Sequence, residues 1–311
     1  MLTLDTPALL LAPMDGVTDA SMRALQGEQG AFTLAVSEFL RVSAEPLSRK
    51  VFRRDIPELN TDCRTTTGLP VQIQLLGGNP ERMALSAQTA HALGANSIDL
   101  NFGCPAATVN RHDGGASLLQ YPQRIREIVA AVRGALPQHV AVSAKLRLGW
   151  DDINSIHENA AMAAEGGASW ITIHARTKKQ GYAPPVYWKP IGQVREALNI
   201  PVVANGDIWT LDDFKRCRQE TGCLHYMLGR GALANPSLSH QVAGQLGLPH
   251  RTMDWDWLTL FRGLVKHAQA SGRTLLRLKQ WGKMASTFGD FPYFQAVKLS
   301  TSVDEFLENM V

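Results

Sequence analysis

The sequence has no apolar run long enough to cross a membrane, and its first residues lack the basic and then apolar stretch of a signal peptide. These absences predict a soluble, cytoplasmic protein without a membrane partner. The four cysteines (Cys63, Cys104, Cys217 and Cys223) show no paired spacing, which argues against a metal site or a disulfide framework. A formal net charge of +3 is too small to indicate a nucleic-acid partner by itself.

What the sequence does contain, from residue 8 to about residue 230, is an alternation of short apolar strands with stretches of helical periodicity. The predicted strands are Ala8–Pro13, Thr33–Ser37, Val71–Leu76, Ser97–Asn101, Val140–Leu146, Trp170–His174, Pro201–Asn205 and Tyr226–Gly229. Eight alternating units predict an α/β fold, a closed (β/α)8 TIM barrel. A doubly wound open sheet is the alternative, but Met14-Asp15-Gly16 is not the glycine-rich loop that it needs after its first strand.

Helical periodicity predicts helices between the strands and throughout the C-terminal part. Predicted helices include Pro80–Leu93, Pro122–Leu136, Ser155–Glu165 and Leu211–Glu220, the second with Ile125, Ile128, Val129 and Val132 on one face. Past Pro249 no strand-like segment follows, and Trp257–Ala270, Leu275–Thr287 and Tyr293–Ser302 are predicted as helices. We therefore expect a catalytic barrel over residues 1–245 and a small all-helical domain over residues 246–311.

Predominantly polar and charged residues collect where the predicted strands end. They are Pro13-Met14, Glu38, Gln74, Asn101 to Cys104, Lys145 and Arg147, His174 and Arg176, Asn205-Gly206-Asp207, and Gly229-Arg230. In a barrel these positions converge on the face that carries active sites. Chain turns explain one or two polar positions, but not a charged or amide residue at almost every strand end.

Lys145 and Arg147 are two residues apart, so both point to the same side of their strand. Two cations aimed into a barrel mouth require an anionic or electron-rich partner, because burying an unpaired charge is costly. The glycines of Asn205-Gly206-Asp207 and Gly229-Arg230-Gly231 follow the last two strands, where this fold usually binds phosphate. A phosphorylated cofactor or substrate is therefore expected, although glycine also serves ordinary turns.

Cys104 lies in Asn101-Phe102-Gly103-Cys104-Pro105, directly after the fourth strand. A lone cysteine is more often an inert core residue than a catalyst. Here the pocket-facing loop contains no histidine close to the cysteine that would activate a nucleophile, which leaves proton donation by a neutral thiol open.

These segments, taken in order, resemble tRNA-dihydrouridine synthases over nearly the whole chain. The resemblance is carried by the runs Leu11–Asp19, Asp99–Pro105, Lys145–Trp150, His174–Thr177 and Ala204–Asp207. The bacterial C subfamily, which acts on uridine 16 of the D-loop, is the most similar branch, on the basis of Ser37–Val42, Lys178–Tyr182 and Lys279–Trp281.

The resemblance implies FMN bound in the barrel, NADPH as transient reductant, and hydride transfer to C6 of a uracil that has left its stack in tRNA. Cys104 would then protonate C5. Pro13, Met14, Gln74, Lys145 and His174 would hold the isoalloxazine ring, and Asn205, Gly206, Asp207, Gly229 and Arg230 the phosphate. Asn101 and Arg147 would contact the uracil, with Arg176 lining the same cavity. A cation at Lys145 also suits the negative charge of a reduced flavin.

One departure from the family pattern lies in the cysteine loop. C-type relatives usually have a lysine three positions after the cysteine, where this chain has Ala107. Arg111 is a candidate for supplying the missing cation.

Charge placement favours an RNA partner more than net charge does. No Asp or Glu occurs between Trp257 and Gly289, a segment that contains Arg262, Lys266, Arg273, Arg277, Lys279 and Lys283. A helical stripe of Lys266, Arg273, Arg277 and Lys283 could follow phosphates, although a solvated helix face gives the same pattern. By resemblance, the residues that orient the tRNA D-loop are Arg41, Tyr182, Arg277, Lys279, Met284 and Lys298. The protein is expected to act as a monomer.

Two alternative functions remain open at this point. A dihydroorotate-dehydrogenase-like FMN barrel would explain the phosphate site but not the acid-free basic segment, and it would act on a free pyrimidine. A barrel that has lost its chemistry and binds RNA would be colourless and could not be reconstituted with FMN.

Overall fold

The computed structural model describes residues 2–110, 114–252, 255–268 and 272–310. Within these residues nine parallel strands form one closed sheet. The strands are β1 (Ala8–Leu11), β2 (Leu34–Val36), β3 (Leu40–Arg41), β4 (Val71–Leu76), β5 (Ser97–Asn101), β6 (Ala141–Arg147), β7 (Trp170–His174), β8 (Val202–Asn205) and β9 (His225–Leu228). Because β1 pairs with β2 and β9, and β2 pairs with β4, eight of them close into a barrel. The predicted TIM barrel is confirmed.

The ninth strand was not predicted from the sequence. The two residues of β3 pair with the end of β4, with Leu40 opposite Leu75 and Arg41 opposite Leu76. A two-residue strand carries no periodicity, so only its pairing identifies it. Its effect is to hold Arg41 at the carboxyl ends of the barrel strands.

Helices surround the barrel and follow it. They are α1 (Ala20–Gln29), α2 (Arg49–Asp55), α3 (Pro80–His91), α4 (Ala107–Asn110), α5 (Pro122–Gly134), α6 (Ser155–Glu165), α7 (Lys189–Ala197), α8 (Leu211–Thr221), α9 (Arg230–Ala234), α10 (Pro236–Gln245), α11 (Trp257–His267), α12 (Thr274–Phe288), α13 (Phe294–Val297) and α14 (Val303–Glu308), with short 3-10 turns at Pro57–Asn60 and Gly115–Gln120. None of the helices in the described ranges is both long and apolar enough to span a membrane.

Local sequence explains where these helices begin and which face they bury. The side chain of Thr210 accepts a hydrogen bond from the backbone of Asp213, whose carboxylate bonds back to Thr210, so a capping box starts α8. The predicted apolar face of α5 is the buried one, including Ile125 and Val132. Helix packing against the strands therefore forms the main core.

The C-terminal helices pack around an apolar core of their own. Phe261 of α11 lies 4.6 Å from Trp281 of α12 and 5.2 Å from Phe306 of α14, measured between ring centroids. The indole N–H of Trp281 donates to the carbonyl of Leu233 at 2.9 Å, which fixes α12 to the barrel. These helices confirm the predicted all-helical C-terminal part.

One predicted helix, Tyr293–Ser302, was wrong in its extent. Helix α13 ends at Val297, and Ser302 caps a new helix by accepting a hydrogen bond from the backbone N–H of Glu305 at 3.1 Å. A serine followed three residues later by a glutamate is a start signal, and here it outweighs the helical periodicity. The predicted end of the first C-terminal helix, Ala270, lies outside the described residues.

Candidate active site

A cavity of about 750 Å³ opens at the carboxyl ends of the barrel strands. The residues singled out from the sequence that line it are Pro13, Met14, Arg41, Gln74, Asn101, Cys104, Lys145, Arg147, His174, Tyr182, Asn205, Gly206, Asp207, Gly229, Arg230 and Met284. Four others, Arg176, Arg277, Lys279 and Lys298, are not among the residues that line it. The parallel strands bring together residues that are more than 200 positions apart in the chain.

The loop of Cys104 is held by the side chain of Asn101. The amide oxygen of Asn101 accepts hydrogen bonds from the backbone N–H groups of Gly103 and Cys104, each at 2.9 Å. Arg147 Nε donates to the carbonyl of Gly103 at 2.8 Å. Partial burial raises the pKa of the Cys104 thiol, and the charge of Asp15 adds to that rise. Cys104 therefore faces the cavity as a neutral thiol that can donate a proton.

Lys145 and His174 lie together in the cavity floor, and Lys145 supplies its charge. Lys145 Nζ donates to the side-chain oxygen of Asn205 at 3.2 Å. Burial, and then the neighbouring Arg147, lower the pKa of Lys145, while the carboxylate of Asp99 opposes that shift. The pKa of His174 lies well below its ordinary value because of burial and the surrounding cations, so its imidazole is neutral. The floor thus presents positive charge and suits an electron-rich or anionic ligand.

The guanidinium of Arg147 is mainly engaged with the protein backbone. Besides Gly103, it donates through Nη1 to the carbonyls of Thr177, at 3.1 Å, and Gly181, at 2.7 Å. The guanidinium carbon also lies 5.2 Å from the ring centroid of Tyr182. Arg147 consequently ties the Cys104 loop to the loop that carries Tyr182.

The sequence placed Arg176 in the cavity, and the structure does not. Its side chain is completely buried, pairs with Asp207 and donates to the carbonyl of Ala183 at 2.7 Å. Arg230 also binds Asp207, at 3.2 Å. The carboxylate of Asp207 is therefore occupied by two arginines, because a buried guanidinium needs a counter-ion. Of the three, Arg230 is the side chain that combines exposure with positive charge.

Gly206 is the glycine whose conformation the site requires. Its φ is +120°, and a Cβ at this position would lie 2.8 Å from the ring of His174. No other residue type combines that backbone with that close approach. The backbone after β8 can therefore pass directly beside the cavity floor.

An aromatic rim surrounds Arg230 at the cavity mouth. The Arg230 guanidinium lies 4.7 Å from the ring centroid of Tyr182, 5.0 Å from that of Trp209 and 5.2 Å from that of Phe288. Trp209 and Phe288 are stacked at 4.9 Å. Neither residue was predicted from the sequence, although Trp209 is an aromatic residue four positions after Asn205 in a strand-end loop.

The cations of the C-terminal segment do not form the single stripe that the sequence suggested. Arg277 pairs with Asp19 at 2.9 Å, and Lys266 pairs with Glu28 at 2.7 Å, so both hold the C-terminal helices to α1 and its cap. Lys298 is exposed and bonds to Gln295, and Lys279 is half-buried. The candidate Arg111 lies outside the described residues, and Ala107 is the first residue of α4.

Comparison with known proteins finds one family that this chain matches. The sequence profile of the dihydrouridine synthase family matches residues 10–280. The chain is 45% identical over 279 residues to the tRNA-dihydrouridine(16) synthase of Shewanella oneidensis, covering 88% of this chain and 87% of that one. It is 42% identical over 278 residues to the protein of the same name from Ralstonia nicotianae, with 87% and 85% covered. The namesake from Aquipseudomonas alcaligenes is 40% identical over 301 residues, with 95% and 94% covered.

Two solved structures with low sequence identity share the fold. A 2-naphthoyl-CoA reductase superimposes with a TM-score of 0.59 at 11% identity, over 78% of this chain and 50% of that one. A putative lyase/mutase from Burkholderia cenocepacia gives a TM-score of 0.50 at 18% identity, over 76% and 82%.

Proposed function

This chain belongs to the dihydrouridine synthase family, and on that premise we propose that it reduces a uridine of tRNA to 5,6-dihydrouridine, with FMN in the barrel cavity and NADPH as reductant. The observation that carries the proposal is the position of Cys104. Its thiol faces the same cavity as Lys145, Gln74 and His174. A proton donor and a cationic cofactor site thus line one space.

The residues present fit FMN on chemical grounds. Burial, and then the charge of Arg147, lower the pKa of Lys145, and its Nζ bonds to the neutral amide oxygen of Asn205. The electron-rich N1 and O2 side of a flavin would oppose that shift. Gln74 adds an amide, and Arg230 adds a partly exposed guanidinium at the phosphate end. A cavity of about 750 Å³ is within the usual range for cofactor sites.

We assign the ring contacts to Pro13, Met14, Gln74, Lys145 and His174, and the phosphate contacts to Asn205, Gly206, Asp207, Gly229 and Arg230. Within the second group Asp207 acts by holding Arg230, because its own carboxylate would repel a phosphate. When bound, FMN supplies the hydride that adds to C6 of the uracil. All further steps depend on side chains of this chain.

Cys104 gives the proton to C5. Burial keeps the thiol protonated, which a general acid requires, and the nearby Arg147 and Arg41 stabilise the thiolate that remains. Asn101, through the N–H that its bond to Gln74 leaves available, and Arg147 contact the uracil. Arg176 supports Asp207 from outside the cavity.

The substrate is tRNA, and the position is uridine 16 of the D-loop. Support comes from the names of these relatives, tRNA-dihydrouridine(16) synthases that share at least 40% identity across most of the chain. Arg41, Tyr182 and Met284 at the cavity mouth, with Arg277, Lys279 and Lys298 beyond it, orient the tRNA. We place the boundary between the barrel and the tRNA-recognition helices at residues 245 and 246, and we propose that the monomer is active.

The test is conversion of unmodified tRNA by the purified protein with NADPH, followed by mapping of dihydrouridine. Wild-type protein should bind FMN, seen in its absorption spectrum, and modify position 16. Cys104→Ala should keep the flavin spectrum and NADPH oxidation but form little product. Cys223→Ala is the matched control and should stay active, because Cys223 is buried and precedes the amino end of β9, whereas the cavity lies at the carboxyl ends of the strands. Reduction of free uridine or orotate at rates equal to tRNA would contradict the proposal.

A further inference from the structure

The barrel interior contains a carboxyl group, that of Asp99 on β5, to which the proposed reaction gives no role. Asp99 is 2% exposed, and burying an ionised carboxylate is costly unless it is fully hydrogen-bonded. We propose that Asp99 is a positioning residue that orients two amides in series, those of Gln74 and Asn101, and through them the loop of Cys104. The activity part of this inference rests on the proposed function, but its structural part does not.

A continuous hydrogen-bonded path joins Asp99 to the cysteine loop. Gln74 Nε2 donates to Asp99 Oδ2 at 2.7 Å. Asn101 Nδ2 donates to Gln74 Oε1 at 2.8 Å. Asn101 Oδ1 then accepts the backbone N–H groups of Gly103 and Cys104, each at 2.9 Å. The other oxygen of Asp99 accepts the hydroxyl of Ser143 at 2.5 Å, so both carboxylate oxygens are used.

The direction of every donor on this path is determined by its two ends. A carboxylate can only accept, so Gln74 must turn its N–H groups toward Asp99 and its oxygen toward Asn101. Backbone N–H groups can only donate, so Asn101 must turn its oxygen toward Cys104 and its N–H groups toward Gln74. The two requirements agree at the contact between the amides. A flip of Gln74 would break two hydrogen bonds, and a flip of Asn101 would break three.

This arrangement has a consequence for the cavity. Gln74 and Asn101 both line it, and each has one N–H left after its bond on the path. Both amides therefore offer donors to what lies in the cavity, which suits carbonyl oxygens of a pyrimidine or a flavin ring. The strand register is compatible with this hydrogen-bonded path, because Asp99 and Asn101 are two residues apart on β5 and face the same side. Their partners on β6 are Ser143 and Lys145, respectively.

Site-resolved amide hydrogen exchange tests the structural part without substrate or cofactor turnover. In the unmodified chain the amides of Gly103 and Cys104 should be protected relative to exposed loops. Asp99→Ala should speed their exchange by roughly tenfold, as expected for loss of a supported hydrogen bond, and should leave the amide of Ala204 on β8 unchanged. Exchange of Gly103 and Cys104 at the rate of unbonded amides in the unmodified chain would overturn the inference even if Asp99→Ala failed to fold.

Two further variants separate positioning from charge and from general packing. Asp99→Asn keeps an acceptor for Gln74 and a donor for Ser143, so it should restore near wild-type exchange at Gly103 and Cys104. Ser143→Ala removes the contact that is off the path and should leave these amides protected. If Asp99→Asn behaved like Asp99→Ala, or Ser143→Ala matched Asp99→Ala, the path would not be the cause and the inference would fail.

The activity readout follows the same ranking. Asp99→Ala should lower kcat for dihydrouridine formation at least about tenfold with little change in KM for tRNA, because the tRNA surface is intact. Asp99→Asn should recover most of kcat. If the exchange results hold while even wild-type protein forms no dihydrouridine, the proposed function fails and the positioning role stands. A KM change with unaltered kcat would argue against the positioning role.

Discussion

Replacing Glu58 with alanine should destabilise the barrel by about 3–5 kcal/mol, because it leaves the Arg23 guanidinium buried without its counter-ion. Arg23 lies on α1, and Glu58 lies in the 3-10 turn that follows α2. Arg23 Nε donates to Glu58 Oε1 at 2.7 Å and Nη2 donates to Oε2 at 2.9 Å. The two side chains are only 1% and 4% exposed, so water cannot replace the lost carboxylate.

The magnitude follows from the contacts that are lost. Two charge-assisted hydrogen bonds disappear, and each unsatisfied buried partner costs about 1–3 kcal/mol. The third bond, from Arg23 Nη1 to the carbonyl of Thr18 at 2.7 Å, links the pair to the active site. The hydroxyl of Thr18 accepts the backbone N–H of Met14 at 2.7 Å, and Met14 lines the cavity. We therefore expect weaker FMN retention alongside the loss of stability.

Urea unfolding of the flavin-free protein measures the first effect, and the flavin absorbance retained after gel filtration measures the second. The double variant Arg23→Met/Glu58→Leu removes both charges and should recover most of the lost stability. Glu127→Ala breaks the exposed pair with Arg124 and should change little, since surface pairs contribute weakly. A loss below about 1 kcal/mol for Glu58→Ala would refute the reasoning, as would a double variant no more stable than the single one.

Three further predictions concern the site and the C-terminal helices. Lys145→Met should weaken FMN retention, which flavin titration measures, and unchanged FMN affinity would exclude the ring contact. The same variant should stabilise the flavin-free protein at neutral pH, which urea unfolding measures, because it removes a cation whose pKa is lowered by burial. Product formation by pre-reduced enzyme should persist at pH values where an ordinary thiol has begun to ionise, because burial raises the pKa of Cys104 and activity is lost only as pH climbs through it. A decline beginning near neutrality would contradict the proposed acid role. Arg277→Ala should loosen the C-terminal helices, because it removes the ion pair with Asp19, and faster proteolysis would show this. Lys279→Glu should weaken tRNA binding and leave the flavin spectrum unaltered. Unchanged tRNA affinity would exclude Lys279 from the residues that contact tRNA.

The barrel itself could be predicted because each strand and helix carries its own local signal. A buried strand such as Trp170–His174 shows as a short apolar run, and α6 begins and ends where its periodicity does. The features that were missed depend on pairing or capping. Strand β3 exists only through its contact with β4, and the break after Val297 depends on the cap at Ser302.

Much of the candidate site could be predicted for a different reason. Barrel topology brings every strand end to one face, so a polar residue after a strand is near the cavity whatever its partners are. The sequence does not show which of these residues pairs with another side chain of the protein instead of facing the cavity. Arg176 follows β7 as directly as the lining residues do, yet Asp207 binds it outside the cavity. Asp99 lies two residues before Asn101 on the same face of β5. Only the side-chain contacts reveal that it supports the loop of Cys104.

The same distinction decides how the basic C-terminal segment should be tested. Charge counted along residues 257–289 does not separate cations that face RNA from cations that hold the helices to the barrel. Lys266 and Arg277 bind carboxylates of Glu28 and Asp19, more than 200 positions earlier in the chain. Neutralising either one weakens the attachment of the C-terminal helices to the barrel, so any loss of RNA binding would have two causes. Arg273 and Lys283 are exposed, so salt-dependent tRNA binding of variants at these two positions separates phosphate contacts from loss of structure.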